Sequence, residues 1–113
     1  MEVESKYQMP GLQTVYLDRE MIVRDGHLAT VQQLTDYRWM QGGPRSTPRF
    51  LSTTTRKQFD CAEHRLRLLA FTEFPRRMAG GKPSAEYVDK DKWLPVRPDS
   101  IDQTLWELVC EAK

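Results

Sequence analysis

Apolar and polar positions alternate with a period of two along most of this chain and change to a helical period only at its end. Leu12 to Leu17 carries the strand formers Thr14, Val15 and Tyr16 and reads as a short strand. Met21–Arg24 and His27–Val31 flank Asp25-Gly26, a pair that suits a two-residue type I′ hairpin turn because both residues tolerate positive φ. The second arm runs to Trp39, with Ala29, Val31, Tyr37 and Trp39 on one side and Gln33 and Thr35 interrupting it. Phe50 to Cys61 places Leu51, Thr53, Thr55, Lys57, Phe59 and Cys61 on one face. Ala62-Glu63-His64 turns the chain into a strand from Arg65 to Phe74. There Leu66, Leu68 and Ala70 share one face, and Arg65, Arg67, Leu69 and Phe71 the other. Pro75 ends it. Ala85–Val88 reads as an edge strand and Trp93–Val96 as an extended segment. Gly and Pro mark 41–48 and 76–83 as loops.

The helix comes last. Ser100 and Gln103 have capping-box spacing, and Asp102 suits the positive end of the helix dipole. At 100° per residue Ile101, Leu105, Trp106, Leu108, Val109 and Ala112 fall in one apolar arc, with Cys110 at its rim. So short a helix is marginal alone and must bury this arc against the strands. Strands first and one helix last predict an α+β domain, an antiparallel β-sheet of about five to six strands with a C-terminal α-helix packed on one face. Residues 1–11 read as a flexible lead-in and 12–113 as a single domain.

A chain of 113 residues holds one modest core. Net charge is +1, so a whole-molecule field excludes little. Its distribution is uneven. Residues 38–77 carry nine Arg and Lys against three Asp and Glu, an excess of +6. The flanking regions are mildly acidic. No segment approaches the roughly 20 apolar residues needed to span a bilayer as a helix.

Candidate chemistry is sparse. Cys61 ends a strand on its inner side and Cys110 borders the helix stripe, so the two suit either a bridge or a pair of buried thiols. Cys61 and His64, with Cys110 and His27, also make a possible Cys₂His₂ zinc set, but without a second close-spaced ligand pair. Nothing places a base and an oxyanion hole around Cys61 and His64. There is no phosphate loop, nucleophile elbow or metalloprotease motif. These readings call for no enzyme activity, cofactor or metal. Arg56, Lys57, Arg65 and Arg67, with Phe59 and Phe71 nearby, sketch a single-stranded nucleic-acid surface. Alternation assigns Phe59 to the helix side and leaves Phe71 as the only stacking residue. The set has no RNP-like motif, so nucleic acid ranks below a protein partner.

From Val15 to Cys110 the chain resembles the surface-adhesin protein E family of Gram-negative bacteria. The similar residues are Val15-Tyr16-Leu17-Asp18, Ile22-x-Arg24-Asp25-Gly26, Asp36-Tyr37, Phe59-Asp60-Cys61 and Arg65-x-Arg67. They continue with Trp93-x-x-Val96-x-Pro98-x-Ser100 and Leu105-Trp106-x-x-x-Cys110. The resemblance implies a Cys61–Cys110 disulfide joining helix to sheet. It also implies export to the periplasm, outer membrane or cell surface, behind a signal peptide that is not part of this sequence. By the same resemblance the function is non-enzymatic binding of an extracellular or envelope protein, adhesin-like, with a structural periplasmic role as an alternative. No family binding residue maps onto this chain. Loops 41–48 and 76–83 are where specificity is expected to sit.

Overall fold

The computed structural model describes residues 2–3, 13–41 and 49–111. Among the described residues eight strands form one antiparallel sheet: β1 (Glu2–Val3), β2 (Gln13–Leu17), β3 (Val23–Asp25), β4 (Leu28–Gln41), β5 (Phe50–Asp60), β6 (Arg65–Phe74), β7 (Ser84–Glu86) and β8 (Leu94–Pro95). The spatial order is β1-β2-β4-β5-β6-β7, with β3 pairing β4 and β8 pairing β6. The two beyond the expected six are the two-residue β1 and β8, too short for alternation to register, while β3 and β7 fall where the hairpin arm and the edge strand were read. Of the span 1–11, Glu2 and Val3 pair with Tyr16 and Val15. Residues 4–12 and the 42–48 loop lie outside the described residues. α1 (Ile101–Glu111) is the one α-helix among them.

The hairpin at Gly26 forms with its turn one residue further on. Asp25 pairs with Leu28, so Gly26 and His27 are the central residues. Gly26 has φ +62° and His27 is not among the positive-φ residues. A type I′ turn needs positive φ at both positions, whereas type II′ asks for Gly at the first alone. The Gly sits where only the first position demands it.

Cross-strand partners share a face, which defines the inner side of the sheet. Val15, Leu17, Ala29, Val31, Gln33, Thr35, Thr53, Thr55, Lys57, Phe59 and Leu66 all point there and are buried. Leu105 and Val109 of α1 complete this core, with Ile101, Trp106 and Leu108 packed against it. Two irregularities move residues from their expected faces. Lys57 pairs with Leu68 and Arg56 with Ala70, leaving Leu69 as an extra residue in β6. A bulge of one residue reverses every side chain beyond it. Phe71 therefore pairs with Thr55 on the inner face, not with Arg65 and Arg67, and Ala70 lies on the outer face. In β4 the register shifts between Asp36 and Gln41, so that four residues, 37–40, span the interval in which β5 has Leu51 alone. Within that irregular stretch Trp39 is 61 % exposed and does not join the buried row of Ala29 and Val31.

Helix and sheet are joined at several points. Cys61 and Cys110 form a disulfide with Cα atoms 5.5 Å apart. Buried Lys57 pairs with Asp102 at 2.7 Å, and the Trp106 indole donates to the Asp60 carbonyl at 2.9 Å. The Arg24 guanidinium donates to the carbonyls of Val109 and Cys110, each at 3.3 Å, where a cation complements the helix C-terminus. Ser100 caps the first turn by accepting from the Gln103 amide at 3.2 Å. The reciprocal half of the capping box is replaced, because the Gln103 side chain bonds His64 and Glu107 instead. Leu105 is fully buried and Glu107 exposed. Leu105→Ala is expected to destabilise by about 2–5 kcal/mol and Glu107→Ala by less than about 0.5 kcal/mol. Urea titration checks both, and equal losses would mean the buried face is misassigned.

Asp60 anchors the β5–β6 turn. Its carboxylate accepts from the amides of Ala62 (3.0 Å) and Glu63 (3.2 Å) and from Arg65 Nε (3.0 Å), with His27 3.8 Å away. Burial pushes its pKa up, but Arg65, the two amides and the His27 charge outweigh that and hold it below the ordinary aspartate value. A carboxyl depressed on folding contributes its stability in full above its unfolded pKa, about 3.9, and loses it as pH falls through the lower folded value. The stability difference between the protein and Asp60→Asn should be constant above about pH 5 and shrink below about pH 4. Acid titration of both proteins measures it, and a difference that grows on acidification would contradict the assignment.

Candidate partner-binding surface

With α1 on the inner side, the outer face of the sheet carries no helix. Outward positions are Leu28, Thr30, Gln32, Leu34 and Asp36 in β4, with Ser52, Thr54, Arg56, Gln58 and Asp60 opposite them in β5. β6 adds Arg65, Arg67, Ala70, Thr72 and Phe74. At its Asp60 end this face is built around Trp93. The strand places Arg65 and Arg67 two residues apart on one side, and Trp93, just before β8, lies across both. Their guanidinium carbons are 4.4 and 4.7 Å from the ring centroid. Each such contact is worth about 0.5–1 kcal/mol at a partly exposed site.

A polar ladder fixes the stack. Arg67 Nε donates to Gln58 Oε1 at 2.8 Å, and Gln58 Nε2 donates to Thr30 Oγ1 at 3.2 Å, crossing three strands. Arg67 also donates to the Lys90 carbonyl at 3.5 Å, and Arg65 is held by Asp60. Beside the stack Arg56 is exposed and has no ionic or hydrogen-bond partner among the described residues. Tyr87, 90 % exposed, lies with Leu68 and Leu94 instead, residues whose register partners Lys57 and Leu66 face inward. Bound in two directions yet half open to solvent, the stack offers a rigid aromatic plane and free guanidinium N–H groups.

The basic set singled out in the sequence is split by the fold. Arg56, Arg65 and Arg67 share the outer face. Lys57 and Phe59 are buried under α1, and the β6 bulge sends Phe71 to that side as well. The zinc and nucleophile arrangements do not form, because Cys61 and Cys110 are bonded to each other. His64 bonds Gln103 at 2.6 Å and meets the Trp106 ring edge-on. Loop 42–48 lies outside the described residues, and loop 76–83 is tied down at the opposite end of the sheet. Trp93 stands in the family motif and in an extended segment, but neither the motif nor the pattern gives it a partner or a role. Beyond the motif, its signal in the sequence is an aromatic residue among charged ones just before the sheet's last strand.

Cavities are small. One of about 210 Å³ is lined by Leu68, Tyr87, Val88, Asp89, Lys92 and Leu94, and another of about 220 Å³ lies between β8 and the start of α1. Both fall below the roughly 300–1,000 Å³ usual for small-molecule sites.

A family model for surface-adhesin protein E matches residues 4–111. The chain belongs to this family. Its fold is shared with crystal structures of Haemophilus influenzae protein E. Crystal form II superposes with a TM-score of 0.69 at 18 % identity, covering 85 % of this chain and 79 % of that one. A second structure gives 0.67 at 18 % identity, covering 85 % and 76 %. One from non-typeable Haemophilus influenzae gives 0.65 at 18 %, covering 85 % and 68 %. A search of curated protein sequences returns no match. Family membership makes this an adhesin-like surface protein, and the superpositions establish the shared sheet-and-helix fold. Among the described residues of this adhesin E domain, no helix is long and apolar enough to cross a membrane.

Proposed function

We propose that this adhesin E-family domain is a non-enzymatic, exported binding module of the Gram-negative cell envelope that engages a protein partner through the outer face of its sheet. The family match supports the class of function, and the Trp93 stack is the observation that supports the surface. Trp, Tyr and Arg are the residue types that dominate interface energetics, most of all when held rigid before binding. Here Trp93, Arg56, Arg65 and Arg67 lie together on the side α1 leaves uncovered.

The test is capture of immobilised extracellular-matrix and envelope proteins by the whole chain and by Trp93→Ala and Arg56→Glu. Both variants are expected to keep the fold and the disulfide and to weaken capture at least about tenfold, as loss of an interface hot spot does. No capture by the unaltered chain would overturn the binding role, and capture unaffected by either variant would overturn the surface. Single-stranded DNA is expected to bind negligibly at about 0.15 M salt, since two of the three aromatic or basic residues the β5–β6 set adds to its arginines are fully or nearly fully buried, and Phe71 faces inward.

A further inference from the structure

The opposite end of the sheet carries a second surface that the Trp93 stack does not explain. It lies about 25 Å along β5, eight residues at strand rise from Asp60 to Ser52. Three of the described large apolar side chains that are exposed belong to this end: Trp39 (61 %), Met40 (46 %) and Met78 (55 %). None is exposed through looseness of the chain. Trp39 and Met40 occupy the stretch of β4 where pairing with β5 shifts register. Arg77 crosses from the loop after β6 to hold that stretch, donating to the carbonyls of Tyr37 (2.5 Å) and Arg38 (2.7 Å). The Met78 amide donates to Asp36 Oδ1 at 3.1 Å. Buried Ser52 donates to the Arg76 carbonyl and accepts from the Ala79 amide.

The loop also holds strained backbone. Met78 and Ala79 have φ of +54° and +60°, a region costly for residues with a side chain. Next to them Gly81 has φ +87°, and a Cβ there would sit 2.6 Å from Pro75 Cγ. Strained backbone that is hydrogen-bonded into place, only to present a methionine to water, calls for an apolar partner.

The charges around these side chains are cationic. Arg38, Arg49, Arg76 and Arg77 are all exposed, and the Arg38 guanidinium lies 5.2 Å from the Trp39 ring centroid. Asp36 is the carboxylate beside them, and it is engaged by Arg77 at 3.4 Å and by the Met78 amide. Four cations against one anion leave +3. Glu73 and Glu86, the next carboxyls by register, lie on the inner face, where burial and each other's proximity hold Glu73 above its usual pKa.

We infer that this end of the molecule docks on an anionic lipid surface, with Trp39, Met40 and Met78 entering the interface and the four arginines meeting lipid phosphates. Trp is the side chain that settles at the headgroup level, and arginine can keep its charge among phosphates while its stem lies along apolar chains. A nucleic acid or sulfated glycan would use the arginines and leave both methionines in water. A bilayer uses every residue of the set. The inference does not depend on the protein-binding role assigned to the outer face.

The experiment is co-sedimentation of the whole chain with phosphatidylcholine vesicles, with and without phosphatidylglycerol, while tryptophan emission is followed. Binding is expected only to the phosphatidylglycerol vesicles, with a blue shift that disappears in Trp39→Phe while Trp93 and Trp106 remain. Arg38→Ser with Arg49→Ser should weaken binding about 25-fold, about fivefold for each cation lost at an anionic surface. Met78→Ser should weaken it with little change in thermal stability, since more than half of that side chain is exposed. Three results would overturn the inference: no binding to anionic vesicles, binding with no change in Trp39 emission, or equal binding to both vesicle types. Loss of a protein partner in Trp39→Phe, with no lipid binding by the unaltered chain, would assign the surface to a protein instead.

Discussion

Replacing both Cys61 and Cys110 with Ser is expected to lower the unfolding free energy by about 4 kcal/mol. The bridge joins residues 49 apart, and a loop of that length removes about 4 kcal/mol of chain entropy from the unfolded state. For a domain of this size that is a large share of the total, since small domains are stable by only about 5–15 kcal/mol. The effect should concentrate on α1. An 11-residue helix is marginal by itself, and without the bridge it depends on the Lys57–Asp102 pair, the Trp106 and Arg24 hydrogen bonds, and burial of Leu105 and Val109. Urea unfolding in the presence and absence of reductant provides the measurement. The reduced protein and the double Ser variant should lose the same stability, and reductant should leave the variant unchanged. An oxidised protein no more stable than the variant would remove the bridge from the account of this fold.

How much of this was legible in the sequence depended on how far one rule reached. Period-two alternation located β5 and β6, since Phe50 and Arg65 begin strands where the pattern says they do. The apolar arc from Ile101 to Val109 located α1. The rule fails where register changes. Nothing in Leu68-Leu69-Ala70 marks Leu69 as the residue without a partner, because all three are apolar and any of them could be the extra one. That single bulge decides whether Phe71 lies with the arginines or under the helix. Likewise Tyr37 and Trp39 look like a continuation of the Ala29 and Val31 side until β4 leaves register. Side chains joined across long separations were equally invisible. Trp93 meets Arg65 and Arg67, and Arg77 meets residues 36–38, through loops whose Gly and Pro content announces a turn but not its direction. The disulfide was different. The placement of its two cysteines left a bridge, reduced thiols and zinc all open, and the family likeness narrowed them to the bridge the structure contains.

Phe59→Ala should cost about 3–5 kcal/mol, the range for deleting a fully buried aromatic. Phe59 is completely buried between Ala29 and Leu66 in its cross-strand row, in the same core cluster as Leu105 and Val109. The cavity would open under the helix, where the backbone of three paired strands limits collapse. Phe59→Leu, which keeps most of the apolar contact, should cost no more than about 1.5 kcal/mol. Arg56→Ala should fall within about 0.5 kcal/mol of the unaltered protein, because Arg56 is exposed and has no partner among the described residues. The two residues are thus predicted to separate stability from binding. Phe59 variants that remain folded should capture the protein partner as the unaltered chain does, while removal of the Arg56 charge weakens capture and leaves unfolding untouched. Chemical denaturation beside the capture assay decides it. A Phe59→Ala protein of undiminished stability that fails to bind would place Phe59 on the partner surface, and with it the inner face of the sheet rather than the outer one.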